Sequence, residues 1–466
     1  MLNAQGYGNH TAVCLFFYPM TSLVSKPVSG LKGIARVPGD KSISHRSLMF
    51  GALGRGETTV TGLLEGEDVL RTARALASMG VVVTPPETKN GTWRVQSMGD
   101  TPLKSPRTTI YLGNSGTSAR LLMGLVGGYP VNAVFTGDES LSRRPMGRVI
   151  KPLAQMGVRF ETGTADRLPI RIIGTKALRP IEYVLPVPSA QVKSAILLAA
   201  LHADGKTTVT EPSPTRDHTE RLLKYFGAQV EVREQDNGAC SVTIEGNPVL
   251  TGRHISVPAD PSSAAFLTVA ALITEDSDIV IPGVCVNPRR TGLYDTLKEM
   301  GADISFENQK EKSGEPVADI RVRSSALKGV RVPEERVPSM IDEFPVLAVA
   351  ASFASGDTIM TGLSELRVKE SDRLAAIAAG LAAAGVAADM GENSLTVHGT
   401  GKPPKGGCTV ATHLDHRIAM SFLVMGLAAQ NPVSVNGADT IATSFPGFDR
   451  LLNGLGADIS LVTPET

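Results

Sequence analysis

The chain has 466 residues, 42% of them hydrophobic, enough for two or three domains with sizeable cores. Lys and Arg total 46 and Asp and Glu total 46, so no global basic field draws the chain to nucleic acid or to an anionic membrane, and 5% aromatic residues offer little for base stacking. The four cysteines, Cys14, Cys240, Cys285 and Cys408, have no paired spacing for a disulfide framework or a zinc site, which fits a reducing cytoplasm.

At the N-terminus the apolar run Ala12 to Phe17 has no Lys or Arg before it and makes a poor signal peptide. No later segment approaches the ~18 uncharged apolar residues needed to cross a bilayer. Residues 1–28 are expected to be a disordered extension, with Met20 a candidate start.

From there one pattern recurs: an apolar helix end, a glycine, then a β-rich run. In chain order it reads LASMGVVV, LAQMGVRF, LKYFGAQVEV, LKEMGADISF, LAAAGVAADM and LNGLGADISL, around Gly80, Gly157, Gly227, Gly301, Gly385 and Gly456. Each glycine is expected to stop a helix in the left-handed conformation and lead into a strand. Each unit also holds a helix that is apolar nearly all round, such as SHRSLMFGAL or FPVLAVAASF, and such helices belong in a core. Strand-like runs such as TTVTGL and DIVIPG complete a β-α-β-α-β-β unit. Six units exceed what a single core of roughly 250 to 300 residues holds, so two lobes of three units are expected.

The approaches to the buried helices carry charges that capping alone does not require. Lys41 and Arg46, Arg120, Lys193, Asp342 and Arg417 lie at or within a turn of the starts of apolar helices. Brought to one cleft, those helix N-termini and cations would make an anion site for phosphate or carboxylate. A second set of loops adds Arg144, Arg216 and the cluster of Arg367, Lys369, Glu370, Asp372 and Arg373. Asp342 and Glu370 are the acidic candidates for proton transfer, since cations nearby would keep a carboxylate ionised. His45, His218, His413 and His416 lack the spacing of a helical metal pair, so no metal is expected. The stretch LGNSGTS, residues 112–118, matches neither the GxxxxGK[ST] nor the GxGxxG phosphate loop, so neither ATP nor NAD is implied.

PGDKSISHRS, GNSGTSAR, RRPMGRV, PSAQVKSA, TRDHTE, MIDEFP, LRVKESDRL, LDHRIAMSF and ATSFP, in this order, resemble the 3-phosphoshikimate 1-carboxyvinyltransferase (EPSP synthase) family, and within it the bacterial class II subgroup. The resemblance runs from about residue 30 to 460. It implies a two-lobed inverse α/β barrel of six βαβαββ repeats, three per lobe. The N-terminal lobe would be 40–256 and the C-terminal lobe 29–39 plus 257–466, with hinges near 38–40 and 256–260. It also implies transfer of the enolpyruvyl group of phosphoenolpyruvate to the 5-hydroxyl of shikimate 3-phosphate, with no metal or organic cofactor. Lys41, Ser42, Arg46, Ser189, Ala190, Gln191, Arg216, Asp342 and Lys369 resemble the shikimate 3-phosphate contacts. Lys41, Gly116, Arg144, Gln191, Arg373 and Arg417 resemble the phosphoenolpyruvate contacts. Asp342 would take the 5-hydroxyl proton, Glu370 would exchange a proton with the methylene carbon, and Lys41 would serve both substrates.

The resemblance further implies a cytoplasmic monomer open to inhibition by glyphosate. Two positions depart from some family members: Thr443 stands where they carry a lysine, and Gly116 where glyphosate-tolerant relatives have alanine. The alternative is the UDP-N-acetylglucosamine enolpyruvyltransferase family. It is disfavoured because the loop Gly137 to Arg144 lacks that family's reactive cysteine.

Overall fold

The computed structural model describes residues 21–88, 91–97 and 103–462. Its strands form six separate four-stranded sheets, one per repeat, which do not join into a single hydrogen-bonded barrel. The sheets share one plan. Around Glu57–Thr61, the strand His254–Ser256 runs parallel while Trp93–Gln96 runs antiparallel with Val60 opposite Trp93, and Val82–Thr84 forms the edge. Alternation in ETTVT turns Thr58 and Val60 inward, as a sheet with one covered face requires.

The sequence pattern decides what covers those faces. In the helix Pro261–Ile273 every residue from Pro261 to Leu272 is buried, because no polar face exists to present to water. The second helix of each unit is amphipathic: Gly147–Met156 buries Val149, Ile150, Leu153 and Met156 along one stripe. It stops at Gly157, whose φ of 111° lets the Val158 N–H reach the Leu153 carbonyl at 3.0 Å. The other five repeat glycines also have positive φ.

The buried side chains gather into two cores. One includes Phe50, Phe135 and Phe226; the other includes Leu31, Val37, Phe266, Phe344 and Phe422. Lys32–Ile34 pairs in parallel with Asp278–Cys285, so this early strand serves the second core. The expected extension of 1–28 is too long at its C-terminal end. Leu23–Lys26 lies between two strands of the sixth sheet, Leu23 pairing with Val435 on one side and with Leu461 on the other. Residues 1–20 lie outside the described residues.

The chain passes between the two cores twice, and the passages lie side by side. The Asp40 N–H donates to the Pro258 carbonyl at 2.8 Å and the Asp260 N–H to the Pro38 carbonyl at 2.9 Å. No helix among the described residues is long and apolar enough to cross a membrane.

Candidate active site

The buried helices aim their N-termini toward the gap between the two halves. Asp40 caps Lys41–Leu53 by accepting the Ile43 N–H at 2.8 Å, which puts Lys41 first in that helix. The Lys41 N–H donates across the gap to Asp260 Oδ2 at 3.0 Å, and its ammonium pairs with Asp68 at 3.0 Å. One turn on, Arg46 donates to the Ser42 carbonyl at 3.0 Å and to the hydroxyls of Thr219 and Ser194 at 2.7 Å each. This buried guanidinium has no carboxylate partner among the described residues, and burial pulls its pKa down to about 10. Ser115 and Ser189 cap the helices Gly116–Gly127 and Ala190–Ala200. Gln191 joins those two helix ends, accepting from Arg120 at 2.9 Å and donating to Thr117 at 3.1 Å.

The second half supplies the carboxylates. Asp342 lies in the turn before Phe344–Phe353, and Arg373 opens Arg373–Ala383, capped by Asp372. Arg373 is the hub: it donates to Asp415 at 2.8 Å, to Asp342 at 3.1 Å and to Glu370. Arg417 donates to the Asp342 backbone carbonyl at 3.2 Å, and the Lys369 ammonium is 3.9 Å from Asp342 Oδ1.

Two arginines from the first half close on these carboxylates. Arg216 donates to Asp342 Oδ2 at 2.6 Å, and Arg144 donates to Glu370 Oε1 at 3.4 Å. Burial alone would raise both carboxyl groups. Arg417, Arg216, Lys369 and Arg373 instead hold Asp342 well below the usual carboxylate range, and Arg373 and Arg144 do the same for Glu370. Burial lowers the Lys369 ammonium. In this gap cations outnumber carboxylates, and helix N-termini point into it, so the chemistry it accepts is a small polyanion.

The model of the family described as EPSP synthase (3-phosphoshikimate 1-carboxyvinyltransferase) matches residues 25–452. The chain belongs to the EPSP synthase family. A relative from Paramagnetospirillum magneticum, named 3-phosphoshikimate 1-carboxyvinyltransferase, is 58% identical over 94% of this chain and 99% of its own. One of the same name from Parvibaculum lavamentivorans is 56% identical over 94% of this chain and 96% of its own. The solved structure of EPSP synthase from Acinetobacter baumannii superposes with a TM-score of 0.84 at 46% identity, covering 95% of this chain and 100% of that one. The enolpyruvyl transferase NikO from Streptomyces tendae, at 17% identity and a TM-score of 0.74, shares the fold.

Within this EPSP synthase fold, Gly116, Arg144, Gln191, Arg216, Asp342, Lys369, Glu370, Arg373 and Arg417 are tied into one network or sit against it, and the Lys41 charge acts on Glu370. Lys193 departs from the expected cation set: it faces away and pairs with Glu211 at 2.8 Å and Glu220 at 2.7 Å. Arg120, which the sequence marked only as a helix-start charge, bridges Gln191 and the Pro145 carbonyl, and burial with Arg144 nearby pulls its pKa to about 10. Asn114 and Asp415, which the motifs did not single out, hold Arg144 and Arg373. Thr443 turns its hydroxyl to the Thr440 carbonyl at 2.7 Å and brings no charge. His416, buried beside Lys41 and Arg417, has an Nε2 without a partner among the described residues, and burial with those cations holds its pKa well below the usual value. Among the described residues no cluster of three or more His, Cys, Asp or Glu side chains is placed to hold a metal ion.

Proposed function

We propose that the chain transfers the enolpyruvyl group of phosphoenolpyruvate to the 5-hydroxyl of shikimate 3-phosphate, releasing phosphate. The observation that carries this reading is the pair of ionised carboxylates, Asp342 and Glu370, held among cations contributed by both halves of the chain. The relatives' printed name supports the same reaction.

In this reading Arg46, Ser42, Ser189, Ala190 and Arg216 take the shikimate phosphate compound. Arg144, Arg373, Arg417, Gln191 and Gly116 take phosphoenolpyruvate, while Lys41 touches both and Lys369 sits beside Asp342. Asp342 accepts the 5-hydroxyl proton as that oxygen bonds to C2, and Glu370 delivers a proton to C3, giving a tetrahedral ketal phosphate. Collapse returns the C3 proton to Glu370 and expels phosphate, which takes up the proton held at Asp342. Glu370 must carry a proton to act first as an acid. Substrate phosphate and carboxylate neutralise Arg144 and Arg373, the two cations that do most to hold it ionised, so substrate binding itself raises its proton affinity. Motion about residues 38–40 and 256–260 closes the lobes and excludes water from the cationic centre developing at C2.

One chain supplies every side chain named, so a monomer suffices, and glyphosate competes with phosphoenolpyruvate beside Gly116. A cytoplasmic setting suits the free thiols of Cys240, Cys285 and Cys408. The test is phosphate release from phosphoenolpyruvate with and without shikimate 3-phosphate, beside an Asp342→Ala control. Release that depends on shikimate 3-phosphate and collapses in the control is expected. Release that requires UDP-N-acetylglucosamine instead overturns the reading.

A further inference from the structure

The helix Ala190–Ala200 turns Gln191 toward the gap described above and Lys193, two residues and about 200° further round, toward a different space. That space is a cavity of about 640 Å³ walled by both halves of the chain. Its floor is a buried trio. The Lys193 ammonium, 1% exposed, bonds to one oxygen of Glu211 and one of Glu220. The remaining oxygen of Glu211 accepts the Thr215 hydroxyl, but Oε2 of Glu220, in a residue 3% exposed, has no partner among the described residues. Two carboxylates thus share one ammonium, and a buried acceptor is left unfilled, an arrangement that favours an added N–H-bearing cation.

The rim supplies the opposite sign. Lys224 lies one turn from Glu220 on the helix His218–Phe226, about 6 Å away by helix geometry, is exposed, and makes no ion pair among the described residues. Tyr225, Val232 and Pro288 give the cavity an apolar side. Across it the second half contributes Arg289, already engaged by Glu234 at 2.6 Å, and Asn287, which donates to Asp217 at 2.6 Å.

We propose that this cavity binds a small zwitterion, with an ammonium on Glu220 and a carboxylate at Lys224, the chemistry of a free α-amino acid with an apolar side group. The site uses none of the residues assigned to the two substrates. It does adjoin them: Ser194 and Thr219, next in sequence to Lys193 and Glu220, seat Arg46 from the other side. An occupant therefore sits directly behind the Arg46 seat, on the helix that carries Thr219.

Calorimetric titration of the full chain, without phosphoenolpyruvate or shikimate 3-phosphate, tests this apart from the transferase reading. The probes are the twenty common L-amino acids taken singly, with methylammonium and acetate as half-ligands. Expected is submillimolar binding of at least one apolar amino acid, with both half-ligands at least tenfold weaker. Lys224→Met should weaken that binding at least tenfold, and Glu220→Gln should abolish it. Lys224 is exposed and makes no ion pair among the described residues, so its variant keeps the fold whether or not Glu220→Gln does. No binding by any amino acid overturns the proposal; so does methylammonium binding as tightly as the amino acid, or an affinity indifferent to Lys224→Met.

Discussion

At the residue scale, the site depends on keeping carboxylates ionised in a buried place where water cannot do so. Asp342 stays ionised because four cations surround it, which makes it a base before any substrate arrives. Asp342→Asn keeps the shape and removes the base. It should lower the rate of phosphate release by roughly 10² to 10⁴-fold, while urea unfolding shows the fold retained. Gly116 makes a separate prediction. A Cβ built there would lie 2.8 Å from an Arg120 terminal nitrogen and 3.1 Å from one of Arg144, both ends of flexible side chains that can yield slightly. Gly116→Ala should therefore leave phosphoenolpyruvate turnover measurable while raising the glyphosate inhibition constant roughly tenfold or more, about 1.4 kcal/mol of lost affinity. Equal inhibition of the two proteins would sink the idea that this glycine leaves the inhibitor room. Much of this was legible from residue types alone, but which charges meet was not. Arg216 and Asp342 are 126 positions apart, and only the assembled fold brings them within 2.6 Å. Lys193 was misplaced for a reason the helix period contains: two residues from Gln191 is the opposite face, whereas Arg120, four residues from Gly116, shares its face.

At the scale of elements, the six repeats were legible because each carries its own stop signal. A glycine with positive φ after an apolar stripe is a local fact, set by the absence of a Cβ, so it survives in a single sequence. Gly157 isolates that effect, since a Cβ there would have its nearest neighbours at 3.7 and 3.9 Å and meet no clash. Gly157→Ala should cost about 1 kcal/mol through backbone strain alone, read as a lower urea midpoint with the rate of phosphate release unchanged. A variant as stable as the parent would mean that the helix end relaxes to another cap. The strand Leu23–Lys26 shows the opposite case. LVSK has no alternation long enough to announce a strand, and its partners lie more than 400 residues away, with Val24 opposite Ser434 and Ser460. Such an element is held by a sheet that must already exist, so nothing in its own residues identifies it.

At the scale of the whole molecule, the two halves are joined where two chain passages lie side by side, and one buried arginine balances both. Arg290, 3% exposed, donates to Asp40 at 2.8 Å, to Asp260 at 3.3 Å and to the Ser262 hydroxyl at 2.9 Å. Asp40 caps the helix that begins with Lys41, and Asp260 caps Pro261–Ile273 while also accepting the Lys41 N–H, so the position of Lys41 depends on this one guanidinium. Burial would raise the Asp40 carboxyl, but Arg290 and then His218 hold it at about 2, against a usual 3.8. A folded pKa below the unfolded one contributes stability that is fully present above the usual value and is lost as pH falls toward 2, here about 2 kcal/mol. In Arg290→Met the strongest of the influences that lower Asp40 is gone, leaving burial opposed by His218, the Ile43 N–H and Arg216, so its carboxyl rises above the parent's value. At pH 7 the variant should be less stable than the parent by roughly 3 to 5 kcal/mol, the cost of leaving buried charge unpaired. On acidification the parent loses part of the Asp40 contribution by pH 3, and the variant, whose Asp40 carboxyl is higher, has less of it to lose, so the difference between them should shrink between pH 7 and pH 3. Urea unfolding of both proteins across that range measures it directly. A difference that stays constant with pH would mean that Arg290 holds the passages by packing and hydrogen bonds to neutral groups, and that the charge of Asp40 is balanced elsewhere.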